Sequence, residues 1–123
     1  ALDFDATGNY SKKQNYLKLA EESYLRAVAI DERLTTALYG LGILYIFELD
    51  ESEKAIPYLE RYLSIEKRSV DGMFVLARAY YSNYQFDKAV ELYDKIIATT
   101  KSSEKKSEAE ANKKVVLNAS YGM

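Results

Sequence analysis

With 123 residues, 48% apolar and 29% charged, the chain has the make-up of one globular domain and is too apolar for wholesale disorder. A formal net charge of −2 argues against a nucleic-acid binder, whose phosphate contacts need a basic excess. The absence of Cys and His removes thiol nucleophiles, disulfides, Cys/His zinc sites and imidazole acid–base chemistry, so neither a metal nor a cofactor is expected.

No apolar run approaches the roughly 18–20 residues that a membrane span needs. The longest uncharged apolar run, residues 38–47, is far shorter. No basic-then-apolar segment of signal-peptide type opens the chain. One Pro and five Gly against 12 Tyr imply few tight turns, hence helices joined by short links with Tyr supplying much of the contact bulk.

In chain order, helical spacing of the apolar residues predicts helices over residues 2–13, 16–31, 35–48, 52–66, 69–83 and 86–99. Asp50 or Ser52 is placed to cap the fourth, and Pro57 just beyond its first turn predicts a slight bend. Residues 100–108 (TKSSEKKSE) are polar and read as a link or helix start. Residues 104–119 carry Ala109, Val115, Val116 and Leu117 among charges and read as a seventh helix that covers the end of the stack.

The chain repeats itself. Leu38, Leu41, Gly42 and Tyr45 are followed by Ala55 and Leu59; Met73, Leu76, Ala77 and Tyr80 are followed by Ala89 and Tyr93. A more degenerate copy runs through Asp3, Ala6, Thr7 and Tyr10 to Ala20 and Tyr24. Tyr10, Tyr45 and Tyr80 are 35 residues apart, and Ala20, Ala55 and Ala89 are 35 and 34 apart, because the second unit has one extra residue in its turn between Phe47 and Glu53. Small residues at Gly42 and Ala77, opposite Ala55 and Ala89, suit a close helix crossing. Gly40 has no role that the sequence supplies.

At these residues the chain resembles the tetratricopeptide repeat family, whose unit of about 34 residues carries a W-x2-L-G-x2-Y…A-x3-F pattern. The resemblance covers residues 2–101. Glu32, Lys67 and Lys101 stand where the family often has Pro. It implies an all-α fold, an α-α superhelix (right-handed solenoid) of about three helix hairpins plus a C-terminal capping helix. The whole chain would be one domain, with units at about 1–34, 35–68 and 69–101 and a polar link and terminal helix at 102–123.

Residues 37–47 hold no charge, although a surface helix should have a polar side. The repeat assigns Leu38, Leu41 and Tyr45 to the core. A second stripe, Tyr39, Ile43 and Ile46 with Phe47, has no such assignment, and its counterparts are Phe74, Arg78 and Tyr81, with Phe4 in the first unit. In the family the first helix of each unit lines a concave groove. By resemblance, Phe4, Tyr39, Ile43, Ile46, Phe47, Phe74, Arg78 and Tyr81 would bind a protein or peptide segment there. Arg78 is the one charge among them, with an ion pair to Asp71 as its alternative. The basic clamp of family members that hold acidic chaperone tails is absent: Phe4, Gly8, Gly40, Asp71 and Val75 occupy those slots.

An enzyme has little to work with here. Asp3/Asp5, Glu21/Glu22 and Asp50/Glu51 lie in charge-rich stretches, without the spacing of a calcium loop. Gly40-x-Gly42 lies inside an apolar helix and is no phosphate loop. The expected function is a non-catalytic scaffold or adaptor. The second reading is a homo-oligomerisation module using the same stripe, and the third an RNA-binding helical repeat, which the acidic balance disfavours.

Overall fold

The computed structural model describes the backbone of residues 2–122 and the side chains of residues 10–122. Among them are six helices and no strand: α1 (Leu2–Ile30), α2 (Thr35–Ile43), α3 (Ser52–Ile65), α4 (Val70–Ser82), α5 (Phe86–Thr99) and α6 (Ser103–Tyr121). Each packs chiefly on its neighbours in sequence. The fold is the all-α helical repeat that the sequence implied, with α2/α3 and α4/α5 as its hairpins.

The core is the first stripe of the repeat. Leu38, Leu41, Ala55, Leu59, Ala77, Ala89 and Ile96 are fully buried, with Met73 and Leu76 nearly so. Two glycines set how closely the helices approach. A Cβ on Gly42 would lie 2.6 Å from Cγ of Leu59, so α2 and α3 touch only because that position has no side chain. A Cβ on Gly40 would lie 2.6 Å from the Tyr24 ring, so the residue left unexplained by the sequence admits an α1 tyrosine onto α2.

Tyr45 and Tyr80, 35 residues apart, play one role in two units. Each is buried, and each hydroxyl donates to a carboxylate of the preceding helix: Tyr45 to Glu21 at 2.8 Å, Tyr80 to Glu60 at 2.5 Å. A buried phenol without an acceptor would cost its desolvation, so the carboxylates fix where the rings can sit.

The extra residue of the second unit has a definite address. α2 continues as a wide, π-helical turn over Leu44–Glu48, in which the Leu49 N–H donates to the Leu44 carbonyl at 3.0 Å. In both units a left-handed residue then ends the helix, Asp50 (φ 52°) and Tyr84 (φ 63°). The next N–H returns to the tyrosine carbonyl, Glu51 to Tyr45 at 2.7 Å and Gln85 to Tyr80 at 2.8 Å. The two turns are the same motif, with the inserted residue absorbed into the helix ahead of it.

Two local expectations are corrected. The helices read at residues 2–13 and 16–31 are one helix, α1, since no Gly or Pro lies between Tyr10 and Ile30 to stop it. Ala20 is therefore partly buried in mid-helix, while Ala55 and Ala89 sit fully buried in the first turns of α3 and α5. No side chain caps α3: Asp50 is used by the left-handed turn, and Ser52 is already helical. Pro57 lies within α3, which runs on to Ile65. Caps do form elsewhere, with Ser69 accepting from the Gly72 N–H at 3.0 Å and Ser102 from the Lys105 N–H at 3.2 Å.

Ala89→Leu and Gly42→Leu should each destabilise the fold by about 1–3 kcal/mol through overpacking, read as a lower denaturation midpoint. Unchanged melts would place the crossings elsewhere. Tyr84→Gly should raise the unfolding free energy by roughly 0.5–1 kcal/mol, read as a higher denaturation midpoint, because a bulky residue is strained at positive φ. Tyr84→Ala, which keeps the Cβ, should not. Burial first, then the carboxylate hydrogen bond, pushes the Tyr45 and Tyr80 hydroxyls far above the ordinary value of about 10. These groups are neutral in the folded state, so their contribution is intact below about pH 10 and is lost as pH rises beyond it. Alkaline titration should show part of the tyrosinate absorbance appearing together with loss of helical signal; complete ionisation of a still-folded chain would contradict this.

Candidate functional site

The second stripe divides in two. Phe47, Phe74, Arg78 and Tyr81 meet along one groove of about 430 Å³, with α4 as its floor and α6 as its far wall. Phe47 is 49% exposed, and the Arg78 guanidinium lies over its ring, 4.8 Å from the centroid. Phe74 and Tyr81 are half-buried: Phe74 tilts against Tyr93 (centroids 6.2 Å apart) and Tyr81 against Phe86 (5.8 Å). Their inner faces are anchored and their outer faces open to the groove.

The π-helical turn explains why Phe47 is there. Ile46 is the 35-residue counterpart of Tyr81, yet Ile46 is buried in the core and presents no surface to a partner. The added residue hands the outward position to Phe47, which leans on the first helix of the next unit. Tyr39 and Ile43 are half-buried and lie outside the groove. Tyr39 packs on Tyr62 (centroids 5.0 Å apart), and burial, then the nearby Asp71 carboxylate, raises its hydroxyl pKa. The Phe4 side chain lies outside the described residues.

Arg78 does not pair with Asp71. Asp71 takes Lys105 instead, at 3.3 Å, tying the start of α4 to the start of α6. Among the described side chains Arg78 has no ion-pair partner; its contact is the cation–π stack, which leaves the guanidinium edge free.

The sequence did not indicate the groove's other wall. Tyr93 of α5 and Glu108, Asn112 and Val115 of α6 line it. A signal existed in Val115-Val116-Leu117: three consecutive apolar residues on a helix cannot all face one way. Val116 is buried, and Val115 is 53% exposed on the groove side. Burial pushes the Tyr93 hydroxyl up, opposed by the Arg78 charge and the Asn112 amide beside it. The arrangement offers an aromatic floor, one cation without an ion-pair partner among the described side chains, and an amide and a carboxylate opposite. Among the described residues no cluster of carboxylates could hold a metal ion, and no helix is long and apolar enough to cross a membrane.

Residues 35–68 and residues 73–107 each match a family model described as Tetratricopeptide repeat. The two matches correspond to the second and third units, and the straightened first unit is outside them. No curated protein matches the chain at a significant level. Two repeats in register, covering together more than half of the residues and coinciding with the two observed hairpins, show that the chain belongs to the tetratricopeptide repeat family.

Proposed function

We propose that the chain is a non-catalytic adaptor that holds a segment of a partner protein in the groove between α4 and α6. That tetratricopeptide repeats mediate protein–protein interactions supports a scaffold role. The carrying observation is the Phe47–Arg78 stack: a half-exposed aromatic ring held in place by a guanidinium that no carboxylate among the described side chains occupies. Such pairs have the character of binding hot spots, large in contact area and already ordered before a partner arrives. The partner segment would lay an aliphatic or aromatic side chain over Phe74 and Tyr81 and point a carboxylate at the free edge of Arg78. Asn112 would serve the segment's backbone.

The test uses peptides selected from a random display library against the folded protein. Phe47→Ala and Arg78→Ala should each weaken the selected peptides by about 30-fold, the equivalent of a 2 kcal/mol hot spot, with helical signal and Tm nearly unchanged. Peptides that bind both variants as tightly as the parent would place the binding face elsewhere. Phe74→Ala and Tyr81→Ala are less clean, since their packing on Tyr93 and Phe86 should make Tm fall alongside binding.

A further inference from the structure

The first unit contains a turn that the structure does not make. In the second unit Tyr45, Asp50 and Ala55 stand at intervals of five residues, and Asp50 is the left-handed residue between the two helices. In the first unit Tyr10, Asn15 and Ala20 stand at the same intervals. Asn is among the residues that tolerate the left-handed region best. Yet α1 runs straight through Asn15. The consequence shows in exposure: Tyr10 is 65% exposed, while its counterparts Tyr45 and Tyr80 are 3% and 6%. Ala20, too, is only partly buried, against full burial of Ala55 and Ala89.

A hairpin opened in this way can be completed by another copy of itself. We propose that the N-terminal half of α1 is an exchanged arm, which packs on the Ala20 face of a second copy of this chain, so that the protein forms a domain-swapped dimer hinged at Asn15. Residues beside the hinge favour exchange over simple closure within one chain. Tyr16 and Leu19 are 70% and 58% exposed and lie on one face of α1. Their counterparts in the two closed hairpins are Glu51 and Lys54, and Gln85 and Lys88, all polar. A closed first hairpin would leave Tyr16 and Leu19 in water with no reason to be apolar. Two straight rods crossing near Asn15 would cover them, each by its symmetry mate. The face is distinct from the α4/α6 groove, so the two readings stand or fall separately.

Solution mass and crosslinking test it together. Sedimentation should give twice the 14.1 kDa of one chain, with dissociation on dilution. Asn15→Gly, which eases the turn, and Leu19→Glu, which charges the crossing, should each shift the midpoint of association at least tenfold toward monomer without loss of helical signal. The chain has no Cys, so thiols introduced as Tyr10→Cys with Ser23→Cys are the only ones present. Ser23 is the counterpart of Tyr58, which stacks on Tyr45 with ring centroids 6.2 Å apart. Along one straight helix the two positions are about 20 Å apart, beyond a short bis-maleimide. Exchange predicts a crosslink between chains. A monomer at every concentration, a crosslink only within one chain, or a dimer that neither hinge variant weakens and no crosslink traps would each overturn the proposal.

Discussion

The distance between neighbouring helices in this fold is set by positions that carry almost no side chain. Gly42 lets Leu59 come against the α2 backbone, Gly40 does the same for Tyr24, and Ala55, Ala77 and Ala89 are buried completely. Close approach of two backbones brings the flanking Leu, Met and Tyr side chains into contact on both sides of each crossing, and that contact is the core. The tyrosines follow from the same constraint. At such spacing the Tyr45 and Tyr80 hydroxyls reach the preceding helix, where Glu21 and Glu60 accept their protons' hydrogen bonds. Larger residues at the crossings would separate the helices and leave those phenols unsatisfied.

Because the spacing is fixed, an inserted residue cannot be absorbed between helices. It is absorbed within one. The π-helical turn at Leu44–Glu48 keeps Tyr45 buried and restores register at Asp50, which heads the same turn as Tyr84. The side chains between them rotate. Ile46 goes into the core and Phe47 comes out, far enough to lie beneath Arg78 of the next unit. A one-residue difference between two repeats thus makes the groove chemically unlike a simple repetition of its units.

What could be read in the sequence follows from which interactions are local and periodic. The core stripe, the crossing residues Gly42, Ala77 and Ala89, the terminal helix around Ala109 and Val116, and the residues Phe74, Arg78 and Tyr81 were legible because spacings of three, four and about 34 residues encode them. Gly40 was not legible, since its reason is a ring on another helix, Tyr24. The burial of Ile46 depended on a helix widening that fixed periodicity does not describe. The Asp71–Lys105 pair, which frees Arg78, joins residues 34 apart on the surface. The straightness of α1 was missed because the repeat register implies a turn at a place where the local sequence is equally content as helix.

The two ends of the stack are finished differently. α6 buries Ala109 and Val116 against α5 and turns Glu104, Lys106, Ser107, Glu110, Lys114 and Asn118 to solvent, the polar outer face a repeat array needs at a terminus. α1 instead leaves Tyr10, Tyr16, Leu19 and Ile30 exposed by more than half. Apolar residues scattered over a surface need no explanation, but three of these four, Tyr16, Leu19 and Ile30, fall on one face of one helix. The groove lies beside the polar end, where α6 supplies its wall. Association through α1 would therefore leave that groove open in every copy, and a dimer joined at its α1 rods would present two grooves at its outer ends. A partner with two docking segments would then gain from the second groove without any new contact, provided its linker can span the pair.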